Sequence, residues 1–159
     1  PTPVTGLPGI EGDQINIHQV GHYGGYSGVP AETLRENRRK LHRSQVTTIN
    51  ERLKAQPGGN GTMFDHTVIM YYAENGETHH SHGWETPFVV IAGEKTGLDM
   101  ARRYTRVPYH ATEGHKTLGN WYTTLMRIAG SDVEHYGDLD SDMGRLQLPQ
   151  TGEIRQLMA

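Results

Sequence analysis

The sequence predicts an α/β fold in which a mostly parallel sheet is flanked by helices. Two short apolar runs, residues 67–72 and 87–92, are rich in β-branched and aromatic side chains, as is typical of strands buried on both faces. Two longer segments, residues 31–55 and 117–129, carry apolar residues at near-helical spacing. Because a helix and a sheet each bury an apolar side, we expect both helices to pack on the sheet.

The length of the chain predicts one domain. Its 159 residues suffice for a hydrophobic core, with a loop-rich arm (1–30), an α/β core (31–130) and a tail (131–159). The net charge of −3 gives no electrostatic reason to expect nucleic acid as a partner. No apolar run approaches the ~20 residues of a membrane span. Cysteine is absent, so any metal must use histidine and carboxylate ligands.

The amino-terminal arm, residues 1–30, is predicted to be extended, because proline and glycine punctuate it without a helical period. His18 and His22 lie in this arm, four positions apart. A glycine-rich turn after them can bring both imidazoles to a common point. Two exposed histidines without a shared role are the alternative interpretation.

The first predicted helix, residues 31–55, follows Pro30, which suits a first turn because its missing N–H group is not needed there. Pro57 ends the helix. Basic residues cluster on its first half, but glutamates interleave with them, which favours a solvated face over a nucleic-acid interface. The apolar stripe comprises Leu34, Leu41, Val46, Ile49 and Leu53.

The segment between the two predicted strands contains His79, His80 and His82, and Glu74 follows the first strand closely. Loops that leave buried strands are common ligand sites in α/β proteins. Imidazole and carboxylate groups together bind divalent metals such as zinc, iron, nickel or manganese. The pattern therefore predicts a metal site, and a solvated polar loop is the alternative.

Residues 93–116 have no clear period and contain Arg102 and Arg103. Arginines near a metal can hold an anionic substrate, so these two are candidate substrate-binding residues. Exposed loop arginines without a ligand are the alternative.

The second predicted helix, residues 117–129, is the clearest in the sequence. Thr117 can cap its start and Gly130 can close its end. Trp121 and Tyr122 lie on its apolar face, where we expect core residues rather than ligand contacts.

Several segments resemble, in the same order, the bacterial family named for its HXXSHH motif, a domain of unknown function. His18–Tyr23 resembles the motif itself, and Gly61–Gly76 resembles the family's strand and the turn after it. Residues 80–93 match its next segment, and the predicted helix at 117–130 is similar to its last one.

That family is similar in layout to the carboxyl-terminal half of alkaline-phosphatase-like and sulfatase-like metalloenzymes, in which strand ends deliver ligands to paired metals. The resemblance implies that Glu74 and His82 are metal ligands and that His18 and His22 form a pair on an earlier loop. His80 is a further candidate ligand. The implied cofactor is a divalent metal, zinc first, with manganese, iron or calcium as other options.

The signature departs from the family at Gly21, where the family has serine, and at Tyr23, where it has the final histidine. The nucleophile of such enzymes lies in an amino-terminal half that has no counterpart in this sequence. The resemblance therefore implies a metal-binding domain of a phosphate- or sulfate-ester metallohydrolase that lacks its nucleophile half. It also implies a periplasmic or extracellular protein.

Two other functions stay open. Gly76–Glu85 approaches the first motif of the cupins, single-metal barrels that act as oxygenases or isomerases, although the spacing from His82 to Glu85 is short. A non-catalytic structural or interaction domain is the other alternative, and the absent nucleophile favours it.

The small number of predicted strands also indicates that the chain has a partner. An open α/β sheet with two or three strands exposes unpaired backbone groups at its edges, and the chain begins at Pro1 without a start residue. Together with the missing nucleophile, these features predict that the sheet continues in another polypeptide, either a partner or the removed half of a precursor, or in a homo-oligomer.

Overall fold

The computed structural model describes residues 30–72, 86–101 and 104–159. The chain divides into two compact units, Pro1–Gln56 and Pro57–Ala159. Within the described ranges, the first unit contains one long helix, and the second contains the strands and the remaining helices. None of these described helices is both long enough and apolar enough to cross a membrane.

The first unit contains helix α1, Ala31–Ala55, with the bounds that the sequence predicts. Pro30 takes the N-cap position with an extended backbone, and the amide of Leu34 donates to its carbonyl at 3.2 Å. Leu34 is fully buried, whereas Glu32 and Arg35 pair at 3.0 Å on the exposed side. The basic residues therefore share a solvated face with glutamates, as the interleaved charges predict.

The second unit opens with a short hairpin. Strands β1 (Pro57–Gly58) and β2 (Gly61–Thr62) pair in antiparallel fashion. Gly59 turns the chain between them with a φ of 56°, a left-handed conformation that glycine adopts without a steric penalty.

A 3₁₀ turn, Phe64–His66, connects this hairpin to the main sheet. Asp65 in the turn accepts a hydrogen bond from the amide of Thr62 at 2.7 Å, and this bond holds the pKa of the Asp65 carboxyl below its usual value. Lys95 donates to both oxygens of Asn60 at 2.8 Å. These contacts fasten the hairpin to the turn that follows the main sheet.

The main sheet pairs β3 (Val68–Tyr72) with β4 (Phe88–Ala92) in antiparallel fashion. Met70 lies opposite Val90, and the last pair joins Tyr72 to Phe88. The positions of both strands confirm the sequence prediction to within one residue at each boundary.

The predicted mostly parallel sheet flanked by helices, like the carboxyl-terminal part of an alkaline-phosphatase-like fold, is wrong. The described residues form two small antiparallel sheets of two strands each. The prediction depended on nearly continuous apolar runs, which indicate burial but do not specify the direction of the neighbouring strand. Backbone pairing sets that direction, and here two strands that are consecutive in the chain pair with each other.

One face of the main sheet packs against helix α2, Leu118–Ile128, through a core centred on Trp121. Trp121 is 1% exposed, and its indole N–H donates to the sulfur of Met70 at 2.9 Å. The ring of Phe88 lies 5.1 Å from the Trp121 ring, within the range of favourable aromatic pairs. The prediction that Trp121 is a core residue is confirmed. Two further buried apolar residues complete this centre: Leu98 and Ile154.

Both ends of α2 follow the sequence prediction. Thr117 is the N-cap, and its hydroxyl accepts from the amide of Asn120 at 3.3 Å while the Asn120 side chain accepts from the amide of Thr117 at 2.9 Å. This reciprocal pair is a capping box with asparagine in the usual glutamate position. Gly130 closes the helix with a φ of 86°.

The buried polar side of α2 binds the carboxyl-terminal segment of the chain. Asn120 is fully buried, and its amide donates to the carbonyls of Gln150 at 2.6 Å and Gly152 at 2.8 Å. One turn later, the hydroxyl of Thr124 accepts from the amide of Ile154 at 2.8 Å. Three backbone groups of the segment are thus hydrogen-bonded to two helix side chains.

Residues 131–159, expected to be a tail, therefore form an ordered layer on α2. The hydroxyl of Thr123 accepts from the amide of Tyr136 at 3.0 Å. The layer includes helix α3, Ser141–Arg145, and a closing 3₁₀ turn, Arg155–Leu157.

We expect replacement of Asn120 by alanine to lower the free energy of unfolding of the second unit by about 3 kcal/mol. The carbonyls of Gln150 and Gly152 would stay buried without their donor, and each buried unpaired group costs about 1–3 kcal/mol. Urea denaturation followed by far-ultraviolet circular dichroism measures the loss. Gln156→Ala, at an exposed position, is the matched control with an expected change of about 0.5 kcal/mol or less. Equal losses in the two variants would contradict this role of Asn120.

Candidate functional site

The predicted site residues all lie outside the described ranges. This applies to the proposed metal ligands and to the two candidate substrate-binding arginines. They are His18, His22, Glu74, His80, His82, Arg102 and Arg103. Their roles therefore stay predictions from the sequence.

The main sheet nevertheless fixes where the predicted metal segment begins and ends. Tyr72 and Phe88 are directly paired at the end of the β3–β4 ladder where β3 ends and β4 begins. Paired residues of an antiparallel ladder have Cα atoms about 4.5–5.5 Å apart. The connection formed by residues 73–87 thus leaves and re-enters the sheet at adjacent positions. In the sequence, this connection contains Glu74, His80 and His82.

Within the described part of the chain, no group of three or more histidine, aspartate or glutamate side chains is arranged to hold a metal ion. Polar groups do meet at another place, where residues 108–115 contact the start of α3. The Nε2 atom of His110 lies 3.1 Å from Oδ2 of Asp140, and the His110 side chain is only 11% exposed. The ring of His115 lies edge-on to that of His110, with centroids 5.6 Å apart.

The hydrogen bonds of this cluster assign its tautomers. Nδ1 of His115 lies 2.7 Å from the carbonyl of Pro108, and because a carbonyl oxygen only accepts, this nitrogen must donate. The same argument makes Nε2 of His110 the donor to the Asp140 carboxylate. Both imidazoles therefore act as hydrogen-bond donors that hold the loop in place.

Asp140 is the N-cap of α3. Its Oδ1 atom accepts from the amides of Asp142 at 2.8 Å and Met143 at 2.9 Å. The bond from Met143 and the hydrogen bond from His110 lower the pKa of the Asp140 carboxyl, against an opposing effect of burial. Asp140 is therefore ionised at neutral pH and joins the loop to the helix.

Sequence reasoning missed this cluster. His110 and Asp140 are 30 positions apart, and no motif spacing connects them. The two histidines of a segment without a period, His110 and His115, give no signal that could have identified the partner Asp140.

A shallow cleft lies between the start of α2 and the chain that leads to α3. Its volume is about 380 Å³, and we call it the tyrosine cleft. The rings of Tyr122 and Tyr136 meet there with centroids 5.1 Å apart at an angle of 43°. The lining residues are Thr117, Leu118, Gly119, Tyr122, Tyr136, Gly137, Asp138, Leu139 and Asp140.

The tyrosine cleft lies beside the end of β3. A side-chain hydrogen bond with Tyr72 raises the pKa of the Tyr122 phenol, and burial adds to this increase. Tyr72 is the last residue of β3. The cleft is therefore close to the point where the histidine-rich connection leaves the main sheet.

Comparison with known proteins adds no relative. No family model, no curated protein and no solved structure matches the chain. The resemblance to the HXXSHH-motif family accordingly stays a prediction.

We expect Asp140→Ala to lower the free energy of unfolding by about 1 kcal/mol at neutral pH, because the α3 cap is lost. The pKa of Asp140 is lowered in the folded state, so its contribution is full above the unfolded value near 3.9. That contribution is lost as the pH falls through the folded pKa. Asp140→Ala should therefore show a weaker acid dependence than the unmodified chain.

Urea denaturation at a series of pH values between about 2 and 7, which spans the unfolded carboxyl pKa, tests this expectation. Asp132→Asn, a fully exposed carboxylate, serves as the matched control and should leave the acid dependence almost unchanged. Asp140→Asn keeps a capping oxygen but loses the charge. This variant therefore distinguishes the contribution of the helix cap from that of the charged pairing with His110. Parallel pH profiles for Asp140→Ala and the unmodified chain would contradict the assignment.

Proposed function

We propose that this chain is a divalent-metal-binding domain, related in its chemistry to phosphate- and sulfate-ester metallohydrolases, whose metal is bound by the histidine-rich connection between β3 and β4. The observation that carries the proposal is the terminal pair of the main sheet, Tyr72 with Phe88. This pair joins the two ends of the connection that contains the candidate ligands Glu74, His80 and His82. Closing a short segment in advance reduces the entropy that is lost when its ligands gather around an ion.

The donor set favours zinc. In this proposal Glu74 and His82 are ligands and His80 is an additional one, while His18 and His22 stay candidate ligands predicted from the sequence. Zinc is usually bound by four nitrogen, oxygen or sulfur ligands, while calcium prefers a shell of oxygen atoms alone. When bound, a zinc ion polarises an ester oxygen and lowers the pKa of its water.

The corrected fold limits the catalytic part of the proposal. Ester hydrolysis by analogy with alkaline-phosphatase-like enzymes assumed a mostly parallel sheet, and the observed pairing is antiparallel. Metal binding by the connection does not depend on that layout. We therefore propose metal binding as the activity of the chain itself, and ester hydrolysis only for an assembly that also supplies a nucleophile. Arg102 and Arg103 keep their proposed role toward an anionic substrate in such an assembly.

A non-catalytic interaction role is the second candidate, and the outer face of the main sheet favours it. Ile69 pairs with Ile91 and Tyr71 pairs with Val89 on this face. All four side chains are apolar or aromatic, and Val89 is 56% and Tyr71 42% exposed. Exposed apolar surface of this kind is typical of an interaction site. We propose that another polypeptide or a second copy of the chain covers it.

The cupin alternative has less support. A jelly roll contains about eight strands, and the described ranges contain four strands of two to five residues. A periplasmic or extracellular location stays a prediction from the family resemblance.

We expect isothermal titration of zinc into the full chain to show one saturable site. His82→Ala should weaken zinc binding at least about tenfold, which is about 1.4 kcal/mol of binding free energy, because one direct ligand is lost. His66→Ala is the matched control, since His66 is an exposed histidine in the 3₁₀ turn before β3. It should leave the zinc affinity unchanged.

Equal zinc affinities for His82→Ala and His66→Ala would contradict the proposed site. Hydrolysis of p-nitrophenyl phosphate provides a separate readout. The zinc-loaded chain alone should be no faster than zinc in buffer, and a clear acceleration would contradict the need for a nucleophile from elsewhere.

A further inference from the structure

We propose that the tyrosine cleft binds an organic cation, with a planar guanidinium group as the best fit. None of the predicted metal ligands is among the described residues that line this cleft, so the proposal does not rest on the metal site. The cleft combines an aromatic surface, a negative charge and a volume suited to a small group.

Two tyrosines give the cleft an aromatic surface. Tyr122 and Tyr136 form a tilted pair with ring centroids 5.1 Å apart, and Tyr136 remains 50% exposed. Tyr122 lines the cleft and is half-buried. A cation that approaches the face of such a ring is attracted by the negative charge at the centre of the ring.

The charge of the cleft has the complementary sign. Asp138 and Asp140 line it, and among its described lining residues there is no lysine, arginine or histidine. Asp140 is held ionised by the amide of Met143 and by His110. The start of α2 adds roughly half a positive charge, which is smaller than the two carboxylate charges together. The cleft is therefore net negative.

The two carboxylates have different roles. Both oxygens of Asp140 already accept hydrogen bonds, from two backbone amides and from His110, so Asp140 contributes mainly its charge. Asp138 is exposed and is the carboxylate that can bond a ligand directly. A guanidinium group stacks on an aromatic ring and bonds a carboxylate with two parallel N–H groups. The cleft offers both of these contacts.

The size of the cleft also agrees with binding of a small molecule. About 380 Å³ lies at the lower end of the range of about 300–1,000 Å³ for small-molecule sites. One arginine-like group fits this space. Leu118 and Leu139, both exposed at the rim, can cover the aliphatic part of such a ligand.

The test is a titration of the ¹⁵N-labelled full chain with N-acetylarginine amide, followed by heteronuclear NMR. We expect saturable shifts of the Gly119 and Gly137 amides, both of which line the cleft. N-acetylcitrulline amide has nearly the same shape without the charge, and it should cause no saturable shift. Equal shifts with both probes, or none with either, would overturn the proposal.

Two variants locate the binding. Tyr136→Ala and Asp138→Asn should each weaken binding about two- to fivefold, as expected for an exposed cation–π contact and an exposed ion pair. Tyr104→Ala, at a tyrosine that is 82% exposed, and Asp132→Asn are the matched controls outside the cleft. Control variants that weaken binding as much as the cleft variants would overturn the assignment. Asp138 is exposed, so Asp138→Asn keeps the test decisive if Tyr136→Ala perturbs folding.

A second arm separates the sources of the cation. Agmatine represents a small free amine, and the blocked peptide Gly-Arg-Gly represents an arginine side chain of a protein. Tighter binding of either one supports the proposal and identifies the source, because both carry a guanidinium group. Failure of both to compete with N-acetylarginine amide would overturn it.

Discussion

The second unit of this protein depends on the buried side-chain amide of Asn120. This amide donates to the carbonyls of Gln150 and Gly152, and its oxygen accepts from the amide of Thr117. In a fully buried position, each missing bond would cost about 1–3 kcal/mol. One side chain therefore fixes both the start of α2 and the path of the carboxyl-terminal segment. Asn120 and Gln150, which this side chain joins, are 30 positions apart in the sequence.

The position of Asn120 on α2 also determines which side of the helix faces the main sheet. Successive residues of an α-helix point about 100° apart, so Trp121 faces the main sheet, and Ile154 of the carboxyl-terminal segment packs in the same core. Its contacts with Met70 and Phe88 involve one residue from each strand. Helix α2 thus buries an apolar side against the sheet and polar side chains against the carboxyl-terminal segment.

The antiparallel pairing of β3 and β4 has a functional consequence. It joins the ends of the histidine-rich connection at Tyr72 and Phe88, and Tyr72 in turn contacts Tyr122 at the tyrosine cleft. The end of β3 at which the predicted metal segment begins is therefore the end that neighbours the tyrosine cleft. Asp140, which lines the cleft, is hydrogen-bonded to His110.

The sequence by itself determined the local elements: both long helices, the two main strands, the Thr117 cap and the Gly130 end. These features depend on backbone preferences and capping groups within a few residues. Only the tertiary structure decided the antiparallel direction, the burial of Asn120 and the pairing of His110 with Asp140. Polar residues on a helix and single histidines in a loop look solvated in a sequence, because their partners are distant in the chain. The predicted metal ligands depend on the sequence alone, whereas the tyrosine cleft exists only because residues 131–159 fold onto α2.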